Sequence, residues 1–161
     1  MKKQNKQKVY IETTIISYMT GRLSRDLMIA VKQQLTQQWW KRSKSHFELY
    51  VSEFVINELS AGDNKAAKAR LSAIEGISTL EMVTDVTKFA RRLLEEGPIP
   101  KKAAVDAFHI AIASVHRMDY LLTWNCTHIA NAQMRNNIML LAQKSGLRCP
   151  VICTPEELMG D

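Results

Sequence analysis

Apolar and polar positions along the chain recur with two different spacings, and these predict alternating strands and helices. KVYIETTI is β-branched and aromatic, which predicts a strand ending near Glu12. TIISYMT then reads as a short helix closed by Gly21. Leu27, Val31, Leu35 and Trp39 are four apart, predicting a long helix that starts at Arg25, is capped by Ser24 and buries that stripe. HFELYVS alternates as a second strand, and SEFVINELSAG follows as a short helix stopped at Gly62. Asp63 caps and Gly76 terminates the next helix, and ISTLEMV predicts a third strand. TDVTKFARRLLEEG is a helix ended by Gly97, with PIPKK as a rigid connector. The next helix, AAVDAFHIAIASV, is apolar on nearly every face yet carries Asp106 and His109. MDYLLTW is a fourth strand, Asn125 to Ala132 is irregular, AQMRNNIMLLAQKSG is a helix, and PVICT is a last strand. Thr154-Pro155-Glu156-Glu157 has the order of a helix start: cap, first-turn proline and capping-box glutamate.

Strands separated by helices imply an α/β fold, with a parallel sheet of about five strands covered by helices on both faces. Sites in such sheets form beyond the carboxyl ends of the strands. The 161 residues suit one domain, 1–161, with residues 1–8 expected as a flexible basic terminus. Lys and Arg outnumber Asp and Glu, 22 to 16, giving a formal charge of +6. Part of that excess lies in Lys41, Arg42 and Lys44, where cations complement a helix carboxyl end. The balance favours polyanionic partners such as nucleic acid. Three cysteines without C-x-x-C spacing argue against a disulfide framework or a zinc ribbon. Glu12 interrupts the early apolar run, no cleavage site follows, and no apolar segment is long enough for a bilayer. A cytoplasmic, membrane-free protein is therefore expected.

Four polar positions are site candidates; three map to the predicted site edge, and Glu58 reaches it only if its helix leans over it. Glu12 ends the first strand, Glu58 sits late in the helix after the second, Asp106 opens the apolar helix, and Asn125 follows the fourth strand. Asp106 has almost no solvated face among its neighbours, so it must pair, neutralise or bind a metal. Two readings stand for it: a first-turn acid favoured by the helix dipole with His109 as buried partner, or a member of a site. Several carboxylates on one edge repel unless a cation offsets them, and hard oxygen ligands suit Mg²⁺ or Mn²⁺. Such an ion generates hydroxide and stabilises a phosphodiester transition state, which points to a nuclease. Thr13, Thr14 and Thr123 are hydrogen-bonding or capping candidates. Cys126 and His128 are read as structural, and Asp119 falls at the strand end away from the site. P-loop, dinucleotide and G-x-S-x-G fingerprints are absent.

The ordered set VYIETTIISYM, VSEFVINEL, DAFHIAIA, YLLTWNCTHIAN and TPEEL resembles PIN-domain proteins, close to the VapC-like toxin ribonucleases. The resemblance implies a three-layer α/β/α sandwich and divalent-metal-dependent cleavage of single-stranded RNA. It also implies homodimers and silencing by a cognate antitoxin. The family's four acids fall on Glu12, Glu58, Asp106 and Asn125, which would hold Mg²⁺ or Mn²⁺. Two positions depart from the pattern. Glu12 replaces an aspartate and is longer by about 1.5 Å, and Asn125 keeps an oxygen ligand but loses a charge. The expected function is thus a PIN-type endoribonuclease acting on RNA or DNA, the toxin of a type II toxin–antitoxin pair. The alternative is a weakened or inactive PIN-fold module that binds nucleic acid or protein.

Overall fold

A computed structural model describes residues 5–160. Five strands form one parallel sheet: β1 (Lys8–Ile11), β2 (Glu48–Ser52), β3 (Ser78–Leu80), β4 (Tyr120–Leu122) and β5 (Val151–Cys153). Their spatial order is β3-β2-β1-β4-β5. Seven α-helices alternate with them among the described residues: α1 (Thr13–Thr20), α2 (Leu27–Arg42), α3 (Glu53–Ser60), α4 (Asn64–Ala73), α5 (Thr84–Glu95), α6 (Ala104–Val115) and α7 (Ala132–Lys144). The α/β fold with a five-stranded parallel sheet is the one expected from the periodicity.

Val9, Tyr10 and Ile11 are all fully buried. Successive strand residues point to opposite faces, so β1 is covered on both sides. Helices α1 to α4 pack among themselves, as do α5 to α7, and α3 touches α6 across the two groups. The chain builds outward from β1 through β2 to β3, then returns to β4 on the other side of β1. That reversal leaves a crevice at the carboxyl ends of β1 and β4, the usual binding position in an open sheet.

Four local expectations are corrected. Helix α2 starts at Leu27, and its cap is Asp26, whose Oδ1 accepts the Ile29 N–H at 3.1 Å. Ser24 instead accepts the Asp26 N–H at 3.1 Å. The anticipated apolar stripe on α2 is buried only toward its carboxyl end. Trp39 is enclosed, Leu27 and Val31 are 77% and 46% exposed, and Gln33 and Thr36 take the inner positions. Each polar side chain there is satisfied: Gln33 bonds Arg22 O and Ser24 N, and Thr36 Oγ1 accepts from Trp124 Nε1. Lys101–Ala103 of the proline-rich connector winds into a short 3₁₀ turn before α6. Thr154 to Glu157 forms turns instead of a helix, although Glu157 Oε1 does accept the Thr154 N–H at 3.2 Å as a capping box requires.

Strand β1 begins inside the segment expected to be flexible. Lys8 N donates to Asp119 Oδ2 at 2.8 Å, and Lys6 Nζ donates to Ser45 O at 2.7 Å. Residues 1–4 of that basic terminus lie outside the described residues. Among the described residues, no helix is long and apolar enough to cross a membrane.

Candidate metal centre

Glu12 leaves β1 directly and caps α1, accepting the Thr14 N–H through Oε2 at 3.1 Å. The same oxygen accepts the Thr14 hydroxyl, and the Thr123 hydroxyl at 2.8 Å. Each of those hydroxyls in turn accepts a backbone N–H at 2.9 Å, Thr14 from Trp124 and Thr123 from Asn125. Two threonines therefore fasten the loop after β4 to a carboxylate at the end of β1. Glu12 is only 3% exposed. Its Oε1 has no hydrogen-bond partner among the described residues, yet no buried side-chain polar atom lacks one. The free oxygen is therefore the part of Glu12 that reaches solvent.

Glu58 approaches from α3, whose amino terminus is capped by Ser52 at the end of β2. Its Oε1 accepts the Thr13 hydroxyl at 2.7 Å and His109 Nε2 at 2.6 Å. Its Oε2, like Glu12 Oε1, has no partner among the described residues. Burial raises the Glu58 pKa. The His109 hydrogen bond, electrostatic attraction to that imidazole, and the Thr13 hydroxyl together outweigh that and hold it below the usual glutamate value. Ligand atoms of Glu12, Glu58 and His109 all lie within 4.8 Å of one another.

Asp106 and Asn125 form a second cluster. Asp106 Oδ1 accepts Asn125 Nδ2 at 3.0 Å, and Oδ2 pairs with His128 Nδ1 at 2.9 Å. Asn125 Oδ1 accepts the N–H groups of Thr127 and His128 at 3.3 and 3.1 Å, so its oxygen folds the loop. Asp106 is not a member of the Glu12–Glu58–His109 group. It joins that group through Asn125, Thr123 and Glu12 Oε2. The four sequence-derived positions thus share one edge, and two of them have unengaged carboxylate oxygens.

The histidine pairings differ from the expected ones. His109 serves Glu58 instead of Asp106, and His128, read as structural, is the partner of Asp106. Helical spacing placed Asp106 and His109 on one stripe, but α3 crosses near α6 and takes the His109 ring. Tyr10 and Ser52 were missed altogether. The Tyr10 hydroxyl bonds both Ser52 Oγ and His109 Nδ1, each at 2.7 Å. A tyrosine in a strand buried on both faces carries no sequence signal for such a role. Burial pushes its phenol far above the ordinary value, so it stays protonated. Asp119 lies at the amino edge of the sheet, away from the site as expected, where it binds Lys8 N and Arg148.

The PIN domain family model matches residues 9–125, from β1 to Asn125, and so takes in all four positions. The chain belongs to the PIN domain family. A solved PIN-fold structure similar to it is VapC20 of Mycobacterium tuberculosis, described as a sarcin-ricin loop cleaving toxin. The two superpose with a TM-score of 0.56 over 77% of this chain and 95% of that one, at 13% identity. Likeness at that identity concerns the fold. No curated protein matches the chain.

This PIN domain's residues fit a divalent cation by the chemistry of the donor set. Two carboxylates converge, each anchored through one oxygen and free at the other, and neither pairs with a lysine or arginine among the described residues. Hydroxyl, amide and imidazole donors orient the pair without supplying a fixed positive charge. Uncompensated carboxylates at this separation favour a hard divalent cation.

Proposed function

We propose that this PIN domain is a divalent-metal-dependent endoribonuclease, with Glu12 and Glu58 as its principal metal-holding residues. The observation that carries this reading is the pair of unpartnered oxygens, Glu12 Oε1 and Glu58 Oε2, on carboxylates whose other oxygens are fully engaged. Asp106 supplies a third negative charge at the same edge, and Asn125 orients it. Mg²⁺ or Mn²⁺, when bound, would supply a water activated for attack on phosphorus and offset charge in the transition state. The protein's own part is orientation. Thr14 and Thr123 fix Glu12, Thr13 and His109 fix Glu58, and the loop from Asn125 to His128 fixes Asp106. Lys44 precedes the amino end of β2, where Lys6 Nζ bonds Ser45 O, so Lys41, Arg42 and Lys44 lie at the far edge from the carboxylates and add only long-range attraction for a polyanion. Cleavage leaves a 5′-phosphate and a 3′-hydroxyl.

A role as the toxin of a type II toxin–antitoxin pair extends this reading. VapC20 is a toxin of the same fold. Leu23, Leu27 and Met28 are 68%, 77% and 71% exposed on the approach to and first turn of α2. Apolar side chains grouped at a surface suit a protein partner, either a cognate antitoxin or a second copy in a homodimer. A cytoplasmic location accords with that role.

The occupied oxygen of Asn125 favours a second reading, a PIN-fold module that binds nucleic acid or protein with little or no catalysis. Incubating single-stranded RNA with the protein and Mn²⁺, with and without EDTA, separates the two. Cleavage abolished by EDTA and by Glu12→Gln supports the nuclease. RNA binding without any cleavage at millimolar Mn²⁺ supports the module.

A further inference from the structure

We propose that His109 is a positioning residue for Glu58, set by a hydrogen-bond chain that starts at the amino terminus of the helix carrying Glu58. This rests on the reading that Glu58 binds a cation.

The chain runs through the core. Ser52 Oγ accepts the Val55 N–H at 3.3 Å, which caps α3. It meets the Tyr10 hydroxyl at 2.7 Å, Tyr10 meets His109 Nδ1 at 2.7 Å, and His109 Nε2 meets Glu58 Oε1 at 2.6 Å. Ser52, Tyr10 and His109 are fully buried, so every donor must find its acceptor within the chain. One arrangement does this. Ser52 donates to Tyr10, Tyr10 donates to Nδ1, and the neutral ring keeps its proton on Nε2 for Glu58. The reverse direction would leave the Ser52 hydroxyl hydrogen without an acceptor. A helix cap thus dictates, through two strands, which ring nitrogen carries the proton.

The ring itself is enclosed. Its side chain is 1% exposed, with the Tyr10 ring at 5.8 Å and Phe54 edge-on at 6.4 Å. Glu58 is 37% exposed and would otherwise sample several rotamers. Anchoring Oε1 by both His109 and Thr13 leaves Oε2 aimed in one direction. Orienting partners of this kind are commonly worth 10- to 100-fold in metal affinity.

Two substitutions separate the two ends of the ring. An asparagine amide reaches the region of Nδ1, so His109→Asn keeps a partner for Tyr10 and loses the contact to Glu58. A glutamine amide reaches the region of Nε2, so His109→Gln keeps Glu58 and leaves the Tyr10 hydroxyl with Ser52 alone. The account predicts a crossover, read by calorimetric Mn²⁺ titration and by thermal unfolding in EDTA. His109→Asn binds Mn²⁺ about tenfold or more weakly while remaining the more stable of the two. His109→Gln unfolds at the lower temperature but stays within about threefold of wild-type affinity. Mn²⁺ affinities that fall equally, or that follow stability, overturn the positioning role while leaving the metal centre standing. A wild-type protein that binds no Mn²⁺ overturns the metal centre and the positioning role together.

Discussion

Glu12 and Asp106 stand on either side of Thr123, yet their carboxylates have different fates. Glu12 collects three hydrogen bonds on Oε2 and keeps Oε1 free at the solvent. Asp106 accepts one bond on each oxygen, from Asn125 and from His128. The first arrangement leaves a negative charge directed outward; the second quiets the charge with the protein's own donors. Glu58 follows Glu12, with both partners on one oxygen. The two carboxylate oxygens without partners among the described residues therefore lie at the end of β1 and on α3.

That asymmetry is sharpest if Glu12 is neutralised. Glu12→Gln keeps the shape and a carbonyl acceptor but removes the charge. We expect Mn²⁺-dependent cleavage of single-stranded RNA to fall about 100-fold or more, the loss of about 3 kcal/mol of transition-state stabilisation. Asp106→Asn, measured in the same assay, should fall by about tenfold. Equal losses would erase the difference between the two clusters.

The next test adds charge on the quieter side. Asn125→Asp replaces a donated hydrogen bond by a second carboxylate next to Asp106, and like charges at that distance repel. Thermal unfolding in EDTA should come about 3 °C earlier than wild type, and Mn²⁺ should more than restore it. A variant insensitive to Mn²⁺ would mean that no cation reaches Asp106.

Acidity gives a further comparison. The folded pKa of Glu58 lies below its unfolded value of 4.5. Its contribution to stability is therefore fully present above the unfolded value and disappears as the pH falls through the folded one. In EDTA, Glu58→Gln should lower the unfolding temperature at pH 6 and leave it nearly unchanged at the acid end of the titration. A difference that persists undiminished below that window would mean that the charge of Glu58 adds nothing to its hydrogen bonds with His109 and Thr13.

The smallest effect is expected at the loop itself. Cys126 is exposed beside Asn125, whereas burial pushes the Cys149 and Cys153 thiols up to about 11 and about 12. Iodoacetamide at pH 8 should modify Cys126 first, as peptide mass mapping would show. The alkylated protein should retain Mn²⁺ affinity within about twofold, because Cys126 adjoins the Asp106 cluster. A larger loss would tie the loop directly to the metal centre.

Much of the fold was legible in the residues because each strand and helix carried its own period. Asp63 caps its helix and Gly76 takes a positive φ beyond the other end, as local chemistry dictates. Helix α2 was misjudged because its apolar side chains face outward at the amino end, where nothing among the described residues covers them. The acids were legible as positions on one edge, since strand ends in a parallel sheet share an edge. Their partners were not. Whether His109 meets Asp106 or Glu58 depends on how α3 leans toward α6, and no pattern within either helix encodes that crossing. Tyr10 and Ser52 look like ordinary strand residues until the third dimension joins them.

Anomalous scattering from a Mn²⁺-soaked crystal tests the central claim most directly. The account predicts an ion about 2.1 Å from both Glu12 Oε1 and Glu58 Oε2, with their hydroxyl and imidazole anchors still in place. An ion held by Asp106 and Asn125 away from Glu12, or a crevice without anomalous density at millimolar Mn²⁺, would contradict it.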